Sequence, residues 1–192
     1  MTQRFFSDDG LSPALPWGVA GLAVGLLIGG LALRDAPETG GWASYSGVYE
    51  RVAPSVVNVA VSGDEAAVGS GFAVGPQLVV TARHVVAEGQ GITVRDLDGE
   101  AFSATLLGSD ARTDLALLQL DQGELVPTEL GRSSLLSVGQ VVLAIGNPYG
   151  LGHSVAQGVV GGRQRAVDGA EGAADFVQLS IPLNPGNSGG PV

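Results

Sequence analysis

The sequence has no cysteine and no lysine, and it is poor in aromatic (5%) and charged (15%) residues. Without cysteine it forms no disulfide, builds no thiolate zinc site and offers no thiol nucleophile, and its compartment is not written in redox chemistry. Without lysine its cations are nine arginines, set against nineteen carboxylates, for a net charge of −10. A phosphate backbone is held by clustered positive charge, so nucleic acid is excluded as a partner. There are only two histidines, His84 and His153, far apart and with no paired-carboxylate spacing beside them, so neither a metal nor an organic cofactor is implied. No Rossmann glycine fingerprint or P-loop follows an apolar run, and there is no internal repeat. What remains is 192 residues, 45% of them hydrophobic and 31 of them Gly, with a mean hydropathy of +0.30. That composition excludes a disordered polymer, a coiled coil and a collagen, and fits one compact domain plus an extra segment.

The extra segment lies near the N-terminus. No charge falls between Asp9 and Arg34, and residues 15–33, from Leu15 to Leu33, are nearly all apolar. As a helix they would be about 28 Å long, which just spans a bilayer core. Trp17 and Trp42 flank the run, and Pro16 sits where a first helical turn tolerates a missing N–H. The expected reading is an uncleaved transmembrane anchor after a short segment, residues 1–14. The rival is a cleavable signal peptide, with Gly30-Leu31-Ala32 as a poor cleavage site and Asp8 and Asp9 in an atypically acidic pre-sequence. Arg4 and Arg34 nearly tie the positive-inside comparison, so charge does not set the orientation. Gly21, Gly25 and Gly29 repeat a small-xxx-small spacing that permits close helix approach, although glycine is common in such helices anyway.

Residues 34–46 mix Pro, Gly and charge without periodicity and read as a linker with a reach of about 40 Å. Beyond Gly47 the apolar runs are short, valine-rich and punctuated: Val56 to Val61, Gly71 to Val74, Leu78 to Thr81, Ile92 to Arg95, Phe102 to Leu107 and Leu115 to Leu120. A second set follows at Val138 to Ile145, Val155 to Gly161 and Phe176 to Ile181, after the polar stretch from Asp121 to Ser137. Six strands and then three predict an all-β fold of two barrel-like halves, about 47–121 and 136–192, the second short. Only Tyr45 to Arg51 reads as helical.

His84 follows an apolar strand in LVVTARHVV, where a rigid element would fix its ring; His153 lies among turn residues in NPYGLGHS. Taken alone, His84 is more often structural than catalytic. Near the C-terminus Ser188 is framed by Gly186, Gly189 and Gly190, small neighbours that let backbone N–H groups approach a substrate carbonyl. The Gly-x-Ser-x-Gly spacing also fits an α/β-hydrolase elbow, but that order needs a histidine after the serine and none follows. Asp114 opens the alternating strand TDLALLQL and is the carboxylate placed to orient an imidazole; Asp110, in SDAR, reads as a turn-capping residue. His84, Asp114 and Ser188 then stand in one of the orders in which the hydrolytic triad recurs.

With VAPSVVNVAV, GSGFAV, TARHVV, RTDLALLQL, VGQVVLAIGNPYGLGHSVAQGVV and NPGNSGGP in order, residues 47–192 resemble the HtrA/Deg family of trypsin-like serine proteases. The resemblance implies a trypsin-like double β-barrel preceded by one transmembrane helix, with residues 1–14 in the cytoplasm and the protease domain outside the bacterial inner membrane. It implies a serine endopeptidase acting on unfolded or specific protein substrates, with His84, Asp114 and Ser188 as the triad and an acyl-enzyme intermediate. The backbone of Gly186, Asn187 and Ser188 would form the oxyanion hole, chiefly through the N–H groups of Gly186 and Ser188. Activity would rise with pH as His84 deprotonates.

In digestive relatives the residue before the serine is an Asp that pairs with a new N-terminus; Asn187 is neutral and cannot, so zymogen-style activation is not expected. The resemblance implies instead that loops and neighbouring subunits order the site in a homo-oligomer, a trimer. Tyr45 and Tyr49 are candidates for that contact, and Tyr45 equally fits an exposed linker position. Pro182 and Leu183 would line the base of the specificity pocket, predicting cleavage after small or medium aliphatic residues. Here the sequence departs from the family, with Leu179, Ser180, Ile181 and Pro182 replacing a more usual Thr-Asp-Ala-Ala. A trypsin-like second barrel has about three more strands after the nucleophile, so the chain is expected to be truncated. The alternative is a catalytically inactive, membrane-tethered binding or assembly module.

Overall fold

The computed structural model describes residues 44–63, 67–87, 91–147, 152–165 and 176–192. The expected membrane span over 15–33 and most of the linker lie outside them. Among the described residues no helix is long and apolar enough to cross a membrane.

A helix α1 (Ser46–Val52) runs into a 3-10 turn (Ala53–Ser55), and six strands follow: β1 (Val56–Ser62), β2 (Ala67–Gly75), β3 (Leu78–Ala82), β4 (Gly91–Arg95), β5 (Ala101–Asp110) and β6 (Leu115–Leu120). A one-turn helix α2 (Arg83–Val86) separates β3 from β4. The strands pair antiparallel in the order β1-β2-β3-β6-β5-β4, and β4 returns to β1 to close the barrel. Closure removes the sheet edges that valine-rich strands would otherwise expose. It also explains why β1, VVNVAVS, is almost continuously buried rather than alternating: one face fills the barrel and the other faces the rest of the molecule. Val57, Val59, Val79, Val94 and Leu118 are fully buried in the barrel core.

The second half holds β7 (Val141–Gly146), β8 (Ser154–Arg165) and β9 (Phe176–Ser180), paired antiparallel in chain order as a three-stranded sheet. Its smaller core is Leu136, Val142, Val160 and Val177. β7 starts three residues later than the sequence pattern predicts. Gly139 takes a left-handed turn at φ +88°, and Gly139 and Gln140 already bond to Val160 through the main chain. The all-β expectation holds. The helical turn α2 has no counterpart in the sequence pattern, because four residues carry no periodicity.

Candidate active site

The ladder between β3 and β6 places Ala82 opposite Leu115, so the residues just beyond each strand end, His84 and Asp114, face one another. Asp114 then grips α2 at three points. Its carbonyl accepts the Arg83 N–H at 2.7 Å, its Oδ1 accepts the His84 N–H at 2.9 Å, and its Oδ2 lies 2.6 Å from His84 Nδ1. The helix has no capping side chain of its own, and this carboxylate from another strand takes that role. Asp114 has φ +56°, a left-handed conformation that costs most residues about 1–2 kcal/mol but that Asp tolerates better. The strain sits where the carboxylate has to turn back toward the histidine.

A carboxylate on Nδ1 holds the proton there, which leaves Nε2 with the lone pair, the tautomer of a general base. The His84 side chain is 51% exposed and that of Asp114 is 21% exposed, so the imidazole faces outward and the carboxylate sits behind it.

The Ser188 loop reaches this corner from the second half. The Ser188 carbonyl accepts the Ser70 N–H from β2 at 2.8 Å. A Cβ on Gly69 would stand 2.6 Å from the side chain of Val85, the neighbour of His84, and 3.0 Å from the Ser188 carbonyl. Gly189, at φ +85°, is pressed against the Ser70 carbonyl, the Thr81 hydroxyl and the Ala82 N–H, so any side chain there would push the turn off the barrel. The Ser188 turn thus rests on the strand end that leads into His84. Ser188 Oγ itself makes no hydrogen bond to a described residue, so the imidazole and the hydroxyl share a corner without a direct bond.

Of the expected oxyanion donors, Asn187 gives its N–H to the Asn184 carbonyl at 3.1 Å and is spoken for. Among the described residues nothing accepts from the N–H groups of Gly186 and Ser188, which leaves both free to donate. The Asn187 side chain is buried, packs on Gly146 and accepts the Ser154 hydroxyl at 2.9 Å.

Pro182 and Leu183 are exposed after β9. A cavity of about 680 Å³ lies elsewhere, between α1, the inter-barrel segment and β7, and touches none of the expected site residues. His153 is brought to neither Asp114 nor Ser188. Its Nε2 lies 3.2 Å from the Val56 carbonyl, its Nδ1 lies 3.3 Å from Tyr49 Oη, and its ring meets Tyr49 edge-on at 5.9 Å. Burial pushes its pKa below the ordinary imidazole value, against a smaller opposing effect of the Val56 carbonyl. Asp110 caps its own turn by accepting the Arg112 N–H at 2.9 Å. Among the described residues no three His, Asp or Glu side chains gather as metal ligands would.

The trypsin-like peptidase domain family matches residues 69–192, and the chain belongs to it. Within that family it is HtrA/Deg-like in sequence and in structure. It is 42% identical over 125 residues to a probable periplasmic DegP-like serine endoprotease of Pseudomonas fluorescens, covering 65% of this chain and 26% of that protein. A protein of the same description from Pseudomonas putida is 44% identical over the same shares. The chain thus spans about a quarter of the length of these curated relatives. Among solved structures, the HtrA-type protease AlgW with a tripeptide superposes with a TM-score of 0.71 at 39% identity, covering 77% of this chain and 49% of that one.

Proposed function

We propose that this chain is the catalytic part of an envelope serine endopeptidase. The observation that carries the reading is the Asp114 clasp, which fixes His84 in the proton-accepting tautomer beside the loop that presents Ser188. Ser188 Oγ attacks a peptide carbonyl and gives its proton to His84 Nε2. Asp114 steadies the imidazolium, and the carbonyl oxygen moves onto the N–H groups of Gly186 and Ser188. Each such donor is worth about 3–4 kcal/mol when well placed. Collapse of the tetrahedral adduct sends the proton from His84 to the leaving amine and leaves an acyl group on Ser188, which water then removes. The missing hydrogen bond between Ser188 and His84 accords with a contact that tightens when substrate binds.

Substrates are unfolded or specific proteins, in keeping with the DegP-like relatives and the tripeptide of AlgW. Pro182 and Leu183 shape a pocket for small or medium aliphatic residues. Residues 15–33 anchor the chain in the inner membrane, residues 1–14 stay in the cytoplasm, residues 34–46 link, and residues 47–192 act outside, where relatives are described as periplasmic. The active form is a homo-oligomer, a trimer by family likeness. Tyr45 is available for that contact, while Tyr49 is committed to His153 within the chain.

The test is labelling of the full-length protein in membranes with a fluorophosphonate, followed by peptide mapping. Label on Ser188 that disappears in Ser188→Ala and His84→Ala is expected. A protein that cleaves peptides yet takes no label on Ser188 would refute the reading.

A further inference from the structure

We propose that Ser70, a residue of the first barrel, is a positioning residue that sets the oxyanion site of the second. The proposal rests on Gly186 and Ser188 being the oxyanion donors.

Ser70 is fully buried in β2, between Gly69 and Gly71. Its hydroxyl donates to the Gly186 carbonyl at 2.6 Å and accepts the Asn147 N–H at 2.8 Å. Its main-chain N–H donates to the Ser188 carbonyl at 2.8 Å. Its own carbonyl is held by the Thr81 hydroxyl at 2.7 Å. One residue therefore grips the carbonyls of both residues whose N–H groups point at the reacting oxygen, and it is fixed in turn to β3.

Peptide planarity gives this grip its effect. The bonded carbonyls of Gly186 and Ser188 fix the peptide planes on either side of the unit that carries the Ser188 N–H. That middle unit is held by the bond from the Gly190 N–H to the Asn187 carbonyl at 3.0 Å. The remaining freedom is at Gly186, which sits at φ +94° and, as glycine, would let the peptide before it swing away. Anchoring its carbonyl removes the rotation of the following plane and leaves the Gly186 N–H one hinge fewer.

The neighbours explain why a strand can come so close. A Cβ on Gly69 would meet Val85, and one on Gly71 would stand 2.9 Å from the Val80 carbonyl. Both flanking positions are therefore bare, so the small hydroxyl between them can reach across the interface. Asn58 adds a parallel tie, its Nδ2 donating to the Gly69 and Asn147 carbonyls at 3.2 and 3.0 Å.

The experiment compares Ser70→Ala, Ser70→Thr (which keeps the hydroxyl) and the core control Val94→Ala in the full-length protein. The readouts are kcat, KM, Tm and inhibition by a peptide aldehyde whose hemiacetal oxygen occupies the oxyanion position. Ser70→Ala is expected to lower kcat about 10- to 100-fold with KM within about threefold, and to weaken the aldehyde by the same factor as kcat. Its pH profile is expected to stay in place, because the His84–Asp114 pair is untouched, and Ser70→Thr is expected to recover part of kcat. Ser70→Ala with normal kcat and normal aldehyde affinity overturns the proposal. So does a kcat loss that Val94→Ala reproduces at equal loss of Tm. Should Ser70→Ala not fold, the near-isosteric Ser70→Cys, a weaker hydrogen-bonding group, replaces it under the same criteria. Activity that survives in Ser188→Ala would instead show that the reading of the site is at fault.

Discussion

Among the described residues, the two halves of the molecule differ in closure. The first is a sealed six-stranded barrel whose core is filled by fully buried Val57, Val59, Val79, Val94 and Leu118. The second is a three-stranded sheet over Leu136, Val142, Val160 and Val177. Yet Ser188 and the N–H groups of Gly186 and Ser188, the proposed nucleophile and oxyanion donors, come from the second. The loop that carries them takes its shape from contacts with the first: Ser70 on its carbonyls, and the β2 and β3 backbone against Gly189. A loop can perform exacting chemistry when its rigidity is borrowed from a neighbouring barrel.

The strongest way to break this comparison is to remove one partner from each side. Ser188→Ala and His84→Ala are each expected to cost about 10⁴-fold or more in kcat/KM, and the double variant no more than the worse single, because they act as a unit. Additive losses, read from steady-state cleavage, would mean that the halves do not share one reaction centre. A smaller effect sharpens the contrast in closure. Leu118→Ala, which hollows the sealed barrel, is expected to cost about 2–5 kcal/mol in denaturant unfolding. Val177→Ala in the open sheet should cost about 1–2 kcal/mol, since it removes only two methyl groups from a shallower site.

Next is the clasp that His153 forms between the halves, on Tyr49 of α1 and the Val56 carbonyl at the start of β1. Burial lowers its folded pKa, so below the ordinary value, about 6.5, the unfolded chain binds more protons than the folded one. Stability is therefore expected to be full above that pH and to fall as pH drops from the ordinary value through the lowered one. His153→Gln should flatten that part of a Tm-against-pH curve; a slope that persists unchanged would assign it to other groups. The smallest expected effect is that of Asp110→Asn, which can keep the turn cap on the Arg112 N–H and loses only an exposed ion pair with Arg112, and which should leave kcat/KM unmoved while Asp114→Asn sharply reduces it. Equal losses in the two would dissolve the distinction between orienting carboxylate and capping carboxylate.

Much of this architecture is written locally. Alternating valines mark the strands, and Asp114 at a strand start and His84 just past a strand end are readable as partners once β3 and β6 are adjacent. What sequence cannot carry is the long-range join. Ser70 and Gly186 are 116 residues apart, and their bond depends on how two halves dock. Its only trace in the sequence is a polar residue between two glycines in an otherwise apolar strand. Asn58 and Asn147 escape for the same reason: buried in the seam, their polarity reads as surface. Helix α2 escapes because its cap is supplied by Asp114, thirty residues away.

The most direct test of the account is to trap the acyl-enzyme. The full-length protein is mixed with a small aliphatic peptide ester, quenched in acid, and mapped by mass spectrometry. An acyl group on Ser188, absent from the His84→Ala variant, is the predicted result. Continued peptide cleavage with no acyl group on Ser188 would contradict it.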